Sequence, residues 1–192
     1  MTENLISFDY NKPLQTFFKD NRKIQEQFKQ NVISCFIEES YLTLSRSHKK
    51  QISFEMYCDN IFNNWYSVVQ TQKEKHHLIQ NKHEYFAKVF AYTSQQLLFS
   101  CTLEVAPTYI EIHDVCVGKE HSGKGYCKKY IQEVVQHIKT KYRTHKKIKI
   151  MCIANNTPAC KCYTRIFGEP KISHLRDGTS INLFEMSIAS SQ

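Results

Sequence analysis

Residues 109–142 read YIEIHDVCVGKEHSGKGYCKKYIQEVVQHIKTKY. Over 109–117 the residues alternate between two faces, with Ile110 and Ile112 on one and Glu111 and His113 on the other, which predicts a strand. The next eight residues hold three glycines, Gly118, Gly123 and Gly125. Beyond them Tyr130, Ile131, Val134, Val135 and Ile138 recur at three and four, the spacing of a buried helix face. A glycine loop between a strand and a helix directs backbone N–H groups at the positive end of the helix dipole, where they hold phosphate oxygens without a side-chain charge.

Working outward, 3–10 predicts a short first strand, and 14–46 carries helical spacing with a break near Asp20-Asn21. A second helix is expected over 53–70, and 70–83 is polar and reads as a loop. Period-two alternation over 85–91 and 97–105, separated by Thr93–Gln96, predicts a hairpin. Residues 147–154 predict another strand, and 155–167 a short helix with Pro158 tolerated in its first turn. Residues 171–188 predict a closing hairpin across Asp177-Gly178. The expectation is one α/β domain over 1–192, a central mixed sheet flanked by helices, whose residues 84–188 form the ligand-binding core.

Two loop chemistries fit the glycines. Gly118 to Lys124 reads G-x-x-x-x-G-K, as in a nucleotide P-loop, but Gly125 stands where Ser or Thr must hold magnesium. The other is the loop Ser122-Gly123-Lys124-Gly125-Tyr126-Cys127, followed after the next strand by Asn156, Ala159, Tyr163 and Phe167-Gly168. In both halves, and in the order of its elements, the chain resembles the GNAT superfamily of N-acetyltransferases, whose loop reads Q/R-x-x-G-x-G/A. Ser122 and Cys127 depart from that pattern at its first and last positions, and neither change removes a backbone donor.

The resemblance implies direct transfer of an acetyl group from acetyl-CoA to an amine, with no metal. A primary amine of pKa about 10 is protonated at neutral pH, so a base must take its proton. The resemblance places Glu111 at the catalytic carboxylate position of some members, and Glu111 with His113 at a histidine pair of others; which of the two is the base stays open. It further implies an oxyanion donor among the backbone amides of Val115, Cys116 and Val117, and protonation of the departing thiolate by Tyr163. Asn156 would touch the pantetheine arm or cap its helix, and Lys128 and Lys129 would lie near the phosphates. Packing alone also accounts for Tyr163, since Ala159, Tyr163 and Phe167 share a helix face.

Twenty-six Lys and Arg against eighteen Asp and Glu give +8, which suits an anionic partner. Six of those cations fall in 139–149, a run that suits either a solvated helix end or a nucleic-acid contact. The rival expectation is therefore a catalytically inactive GNAT-like module that binds nucleic acid or protein. Hydrophobic residues at 41% and charged residues at 23% exclude a disordered chain. No apolar run reaches the roughly 18–20 residues of a membrane span. Eight cysteines without a C-x-x-C pair fit reduced, packed thiols in a cytoplasmic protein. Coenzyme A is expected to raise the melting temperature, and ATP with magnesium to raise it far less. Strong stabilisation by ATP with magnesium and none by coenzyme A would return the P-loop reading.

Overall fold

The computed structural model describes residues 2–8, 11–37, 52–60 and 85–188. In chain order these form β1 (Asn4–Phe8), α1 (Asn11–Asp20), α2 (Arg22–Val32) and a π-helical turn (Ile33–Ile37). After them come β2 (Tyr85–Tyr92), β3 (Leu97–Val105), β4 (Tyr109–Val117) and α3 (Tyr126–Lys141), then β5 (Lys147–Ile153), α4 (Thr157–Phe167), β6 (Lys171–His174) and β7 (Ser180–Ser187). The break between α1 and α2 falls at Asn21, whose φ of −129° is non-helical and whose side-chain amide donates to the Phe17 carbonyl at 2.9 Å. Of the helix expected over 53–70, residues 54–60 are helical. The remainder of it, and the expected loop at 70–83, lie outside the described residues.

The sheet runs β1-β2-β3-β4-β5-β7-β6. Every pairing is antiparallel except β4 with β5. A P-loop fold needs several parallel strands around its loop, and this sheet has one parallel pair, so that alternative falls.

Each face of the sheet is covered by its own hydrophobic core. Ile131, Val134 and Ile138 of α3 and Tyr163 of α4 bury against Val89, Leu103, Ile110 and Ile112. On the opposite face Phe18, Ile24 and Phe28 bury against Phe90 and Leu97. Phe90 takes edge-on contacts from Phe28 at 5.0 Å and Phe18 at 5.6 Å between ring centroids. Such pairs add about 0.5–1.5 kcal/mol beyond the area they bury, and here they seat α1 and α2 on the sheet.

One expectation needs correcting. The cysteines are not all reduced: Cys35, in the π-helical turn, is disulfide-bonded to Cys116 in β4 across a sequence separation of 81. The cations of 139–149, read as a solvated helix end or a nucleic-acid contact, run from the end of α3 through a turn into β5. Arg143 donates back to Thr140 at the end of α3, Lys147 pairs with Glu185, and the Lys149 ammonium lies 4.0 Å from the Tyr109 ring centroid.

Between Ser100 and Thr102 the β3–β4 register shifts, and Asp114 takes φ +49°, a left-handed conformation that a non-glycine residue seldom adopts. Its carboxylate accepts a 2.7 Å hydrogen bond from Thr102, and the ammonium of Lys88, 4% exposed, bonds the same hydroxyl. Burial pushes the Lys88 pKa from 10.5 down to about 7, against the opposing pull of Asp114. The folded state therefore loses this proton near pH 7 while the unfolded chain keeps it to about 10.5, so Lys88 makes stability rise with pH across that window. Lys88→Met is expected to remove the rise: its stability advantage over the wild type should be largest at or below pH 7 and shrink toward pH 10.5. Urea unfolding midpoints of the two proteins measured across the range check this, and a constant difference contradicts it.

Candidate active site

At the foot of α3 the chain turns through Gly123 (φ +75°) and Gly125 (φ +83°), and a Cβ at either would meet nothing within 4 Å. The glycines are there for their backbone conformation, not for want of room. Ser122, Gly123, Lys124 and Gly125 are exposed, with Gly125 as the N-cap of α3 and Tyr126 as its first residue. The loop thus opens to solvent at the positive end of a 16-residue helix, an arrangement suited to a diphosphate. Tyr126 stacks on Tyr130 at 5.8 Å and leans on His121, which fixes the first turn. Lys128 is exposed beside the loop. Lys129 is not free as expected, because its ammonium is held by Glu3, which also accepts from the Tyr130 hydroxyl at 2.8 Å.

β4 and β5 pair from Tyr109↔Lys147 to Ile112↔Ile150 and no further, although both strands continue. Val115, Cys116 and Val117 therefore lie in the stretch of β4 that β5 has left. This part of β4 stays paired to β3, with Ser100↔Cys116 and Phe99↔Val117. The expectation on these three concerns main-chain amides on the edge that faces away from β3. The Cys116 sulfur is occupied by its bond to Cys35.

Glu111 and His113 come together as expected. The imidazole Nε2 lies 3.9 Å from Oε1 of Glu111 and 3.1 Å from Oε2 of Glu104. Glu104 was not anticipated; it stands directly across from Glu111 on β3, and its other oxygen accepts from the Tyr109 hydroxyl at 3.2 Å. The Glu111 side chain is 10% exposed and its Oε1 has no hydrogen-bond partner. Burial, opposed by His113 and reinforced by Glu104, raises the Glu111 pKa above the usual carboxylate range.

Tyr163 is buried, meets Phe184 edge-on at 5.7 Å, and has its phenol pKa pushed up by burial, so the hydroxyl keeps its proton at any physiological pH. Cys127, in the first turn of α3, shares a hydrogen bond with Cys162 of α4, which joins the two helices beside Tyr163. Asn156 caps α4: its side-chain oxygen accepts from the Ala159 amide at 3.2 Å. Capping thus accounts for Asn156 without a ligand.

The family model of the GNAT acetyltransferases matches residues 43–168, about two thirds of the chain. The chain belongs to the GNAT acetyltransferase family. By family it is an acyltransferase. The fold agrees with solved GNAT structures at low identity. A GNAT-family protein from Desulfovibrio desulfuricans superposes with a TM-score of 0.57 at 11% identity, over 98% of this chain and all of that one. An acetyltransferase-class structure from Staphylococcus epidermidis gives 0.56 at 12% identity, covering 98% and 100%. The PaiA N-acetyltransferase of Thermoplasma acidophilum, solved with coenzyme A, gives 0.51 at 13% identity, covering 97% and 100%. No curated protein matches the sequence closely enough to add to these. No described helix of this GNAT protein is long and apolar enough to cross a membrane.

Gly125→Ala forces a left-handed conformation on an alanine, at about 1–2 kcal/mol. Because the added methyl has free space, the domain should fold with only a few degrees lost in melting temperature. If the loop binds coenzyme A, its dissociation constant is expected to rise about tenfold, since the turn relaxes away from the backbone arrangement suited to a diphosphate. Unchanged affinity, read by calorimetry, would show that the loop amides do not carry the binding.

Proposed function

We propose that this chain is an acetyl-CoA-dependent N-acetyltransferase that passes the acetyl group directly to a primary amine, in the cytoplasm, as a single domain. Residues 84–188 hold the donor and 1–83 shape the acceptor side. The observation that carries the reading is Glu111: a buried carboxylate with an uncommitted oxygen, beside an imidazole, where the parallel strand pair divides. An ionisable group so placed is expensive unless it is used.

Acetyl-CoA supplies the activated acyl carbon. The loop from Ser122 to Cys127 holds the diphosphate through its amides, with Lys128 beside it, and the pantetheine arm lies in the opening between β4 and β5 past Asn156. The amine adds to the acyl carbon as Glu111, or His113 with Glu111 orienting it, accepts its proton. Backbone amides among Val115, Cys116 and Val117 take the charge that develops on the acyl oxygen. As the carbon–sulfur bond breaks, Tyr163 gives a proton to the departing thiolate. Burial keeps that proton on the phenol until the thiolate forms, at the cost of a weaker acid.

The inactive nucleic-acid module has less behind it, because the basic run that favoured it is spread over a helix end, a turn and a strand paired with Glu185. The acceptor is an amine of a small molecule, such as a polyamine, or of a protein.

Release of free thiol from acetyl-CoA over a panel of amines tests the activity. With an accepted amine, Glu111→Gln and Tyr163→Phe are each expected to lower turnover about 10- to 1,000-fold while coenzyme A affinity holds. The variants separate by pH. Glu111 accepts a proton only above its own raised pKa, so wild-type activity should fall as pH drops through that value. Glu111→Gln should lose that limb and recover toward high pH, where the amine is already neutral. His113→Gln apportions the role: greater damage than in Glu111→Gln, at equal folding, makes the imidazole the base. Wild-type turnover in all three variants would remove these assignments.

A further inference from the structure

Glu111 and His113 share their side of the sheet with a third metal-ligating group. Glu104 reaches the same point from β3, so that one oxygen of each carboxylate and one imidazole nitrogen lie within 4.8 Å of one another. Two of the separations are 3.1 Å and 3.9 Å, both from Nε2 of His113. Ligand atoms around a tetrahedral ion with bonds of about 2.0–2.1 Å lie about 3.3 Å apart, so small side-chain adjustments suffice to close the set.

A cluster of acids on a surface implies nothing by itself, since water satisfies it. Here the Glu111 side chain is nine-tenths buried, and its Oε1, the oxygen nearest the imidazole, has no donor at all. A buried carboxylate oxygen without a donor costs about 1–3 kcal/mol or more, and a bound cation removes that deficit. The Tyr109 hydroxyl holds the far oxygen of Glu104, which leaves Oε2 directed at His113, as an outer hydrogen bond orients a metal ligand. The opposing cation is Lys149, across from Glu111 on β5, which acts on that carboxylate while its ammonium lies against the Tyr109 ring.

We propose that Glu104, Glu111 and His113 form a binding site for a divalent transition-metal ion of the Zn2+ class, and that its occupation shuts the enzyme. One nitrogen and two carboxylate oxygens, with a position left for water, is a set that Zn2+ accepts. Mg2+ prefers six oxygens and holds its water tightly, so it is a poor occupant. The binding claim rests on geometry alone. The inhibitory consequence rests on the reading of Glu111 and His113 as the proton-accepting groups, because the metal takes the lone pairs that reading needs.

Calorimetry with zinc chloride alone, and with magnesium chloride as the contrast, tests the site in the 192-residue chain. One Zn2+ per chain and no Mg2+ is expected, with affinity falling at least about tenfold in Glu104→Gln and in His113→Gln. Cobalt(II) guards against binding by the cysteines and against variants that misfold. The wild-type spectrum should show a bound ion without a thiolate-to-cobalt charge-transfer band. No zinc binding by the folded wild type overturns the site, as does a thiolate band or full affinity in both folded variants. If zinc binds here and turnover of an accepted amine is unaffected, inhibition is overturned. The metal site then stands, and the proton-accepting roles of Glu111 and His113 fail.

Discussion

The structure turns on the one parallel pairing in the sheet, which lasts four residues on each strand and then stops. Parallel strands cannot be joined by a hairpin, so a crossover must carry the chain from one end of the sheet to the other. Here α3 is that crossover, and its N-terminus is thereby brought to the end of β4 where the pair divides. The gap is held open from both sides. β4 stays bonded to β3 as far as Val117↔Phe99, and β5 stays bonded to β7 from Lys147↔Ser187 to Ile153↔Ile181. Neither strand can swing to close the opening without giving up a ladder on its other edge. Backbone groups in such a gap need partners, and a ligand with an extended polar chain can supply them. The register shift at Asp114 belongs to the same constraint, since an extra residue in β4 opposite Cys101 turns the strand just past the last β5 pair.

Charge is distributed on this scaffold in two opposed ways. The chain as a whole is +8, yet Glu104, Glu111 and Asp114 gather on β3 and β4. The cations next to them are restrained: Lys88 is buried and pushed toward neutrality, and Lys149 lies against an aromatic ring. A positive chain with a local acidic strip offers an anionic ligand and a cationic one different places. The donor loop sits at the amino end of a helix, where negative charge is favoured, whereas the acids sit on strands, where no helix dipole opposes them.

What the sequence disclosed was local. The bounds of β4 were legible from alternation, because both faces of that strand are committed: Ile110 and Ile112 to the α3 side, Glu111 and His113 to the other. α3 was legible because its apolar stripe is unbroken from Tyr130 to Ile138. The α1–α2 break at Asp20-Asn21 was legible because an Asn side chain competes for the backbone there. Glu104 was missed because its meeting with Glu111 depends on the register of the turn that joins β3 to β4, where Ala106 donates to Tyr109 and Val105 pairs with Ile110. Lys129 offered itself as a phosphate ligand only until β1, more than a hundred residues earlier, brought Glu3 against it. The Cys35–Cys116 bond spans 81 residues and has no local signature. The last two depend on how distant segments pack, and a hydrophobic period specifies only which face is buried.

The thiols bear on the chemistry because a thioester donor beside free cysteines invites acyl transfer to sulfur. A thiolate is the nucleophile in such a transfer, so the protonation of each cysteine decides whether it competes. Cys116, the strand cysteine that could be offered as an acyl carrier, is bonded to Cys35. Burial drives Cys101 upward, Cys152 is raised to about 12 by burial and by Cys160, and Cys127 is raised by its hydrogen bond to Cys162. Cys162 alone is shifted down, by the same Cys127 contact, and it is buried in the packing between α4 and the sheet. The sulfurs around Tyr163 therefore either hold their protons or, at Cys162, are buried. A site with few thiolates leaves an acyl acceptor little competition from the protein's own sulfur.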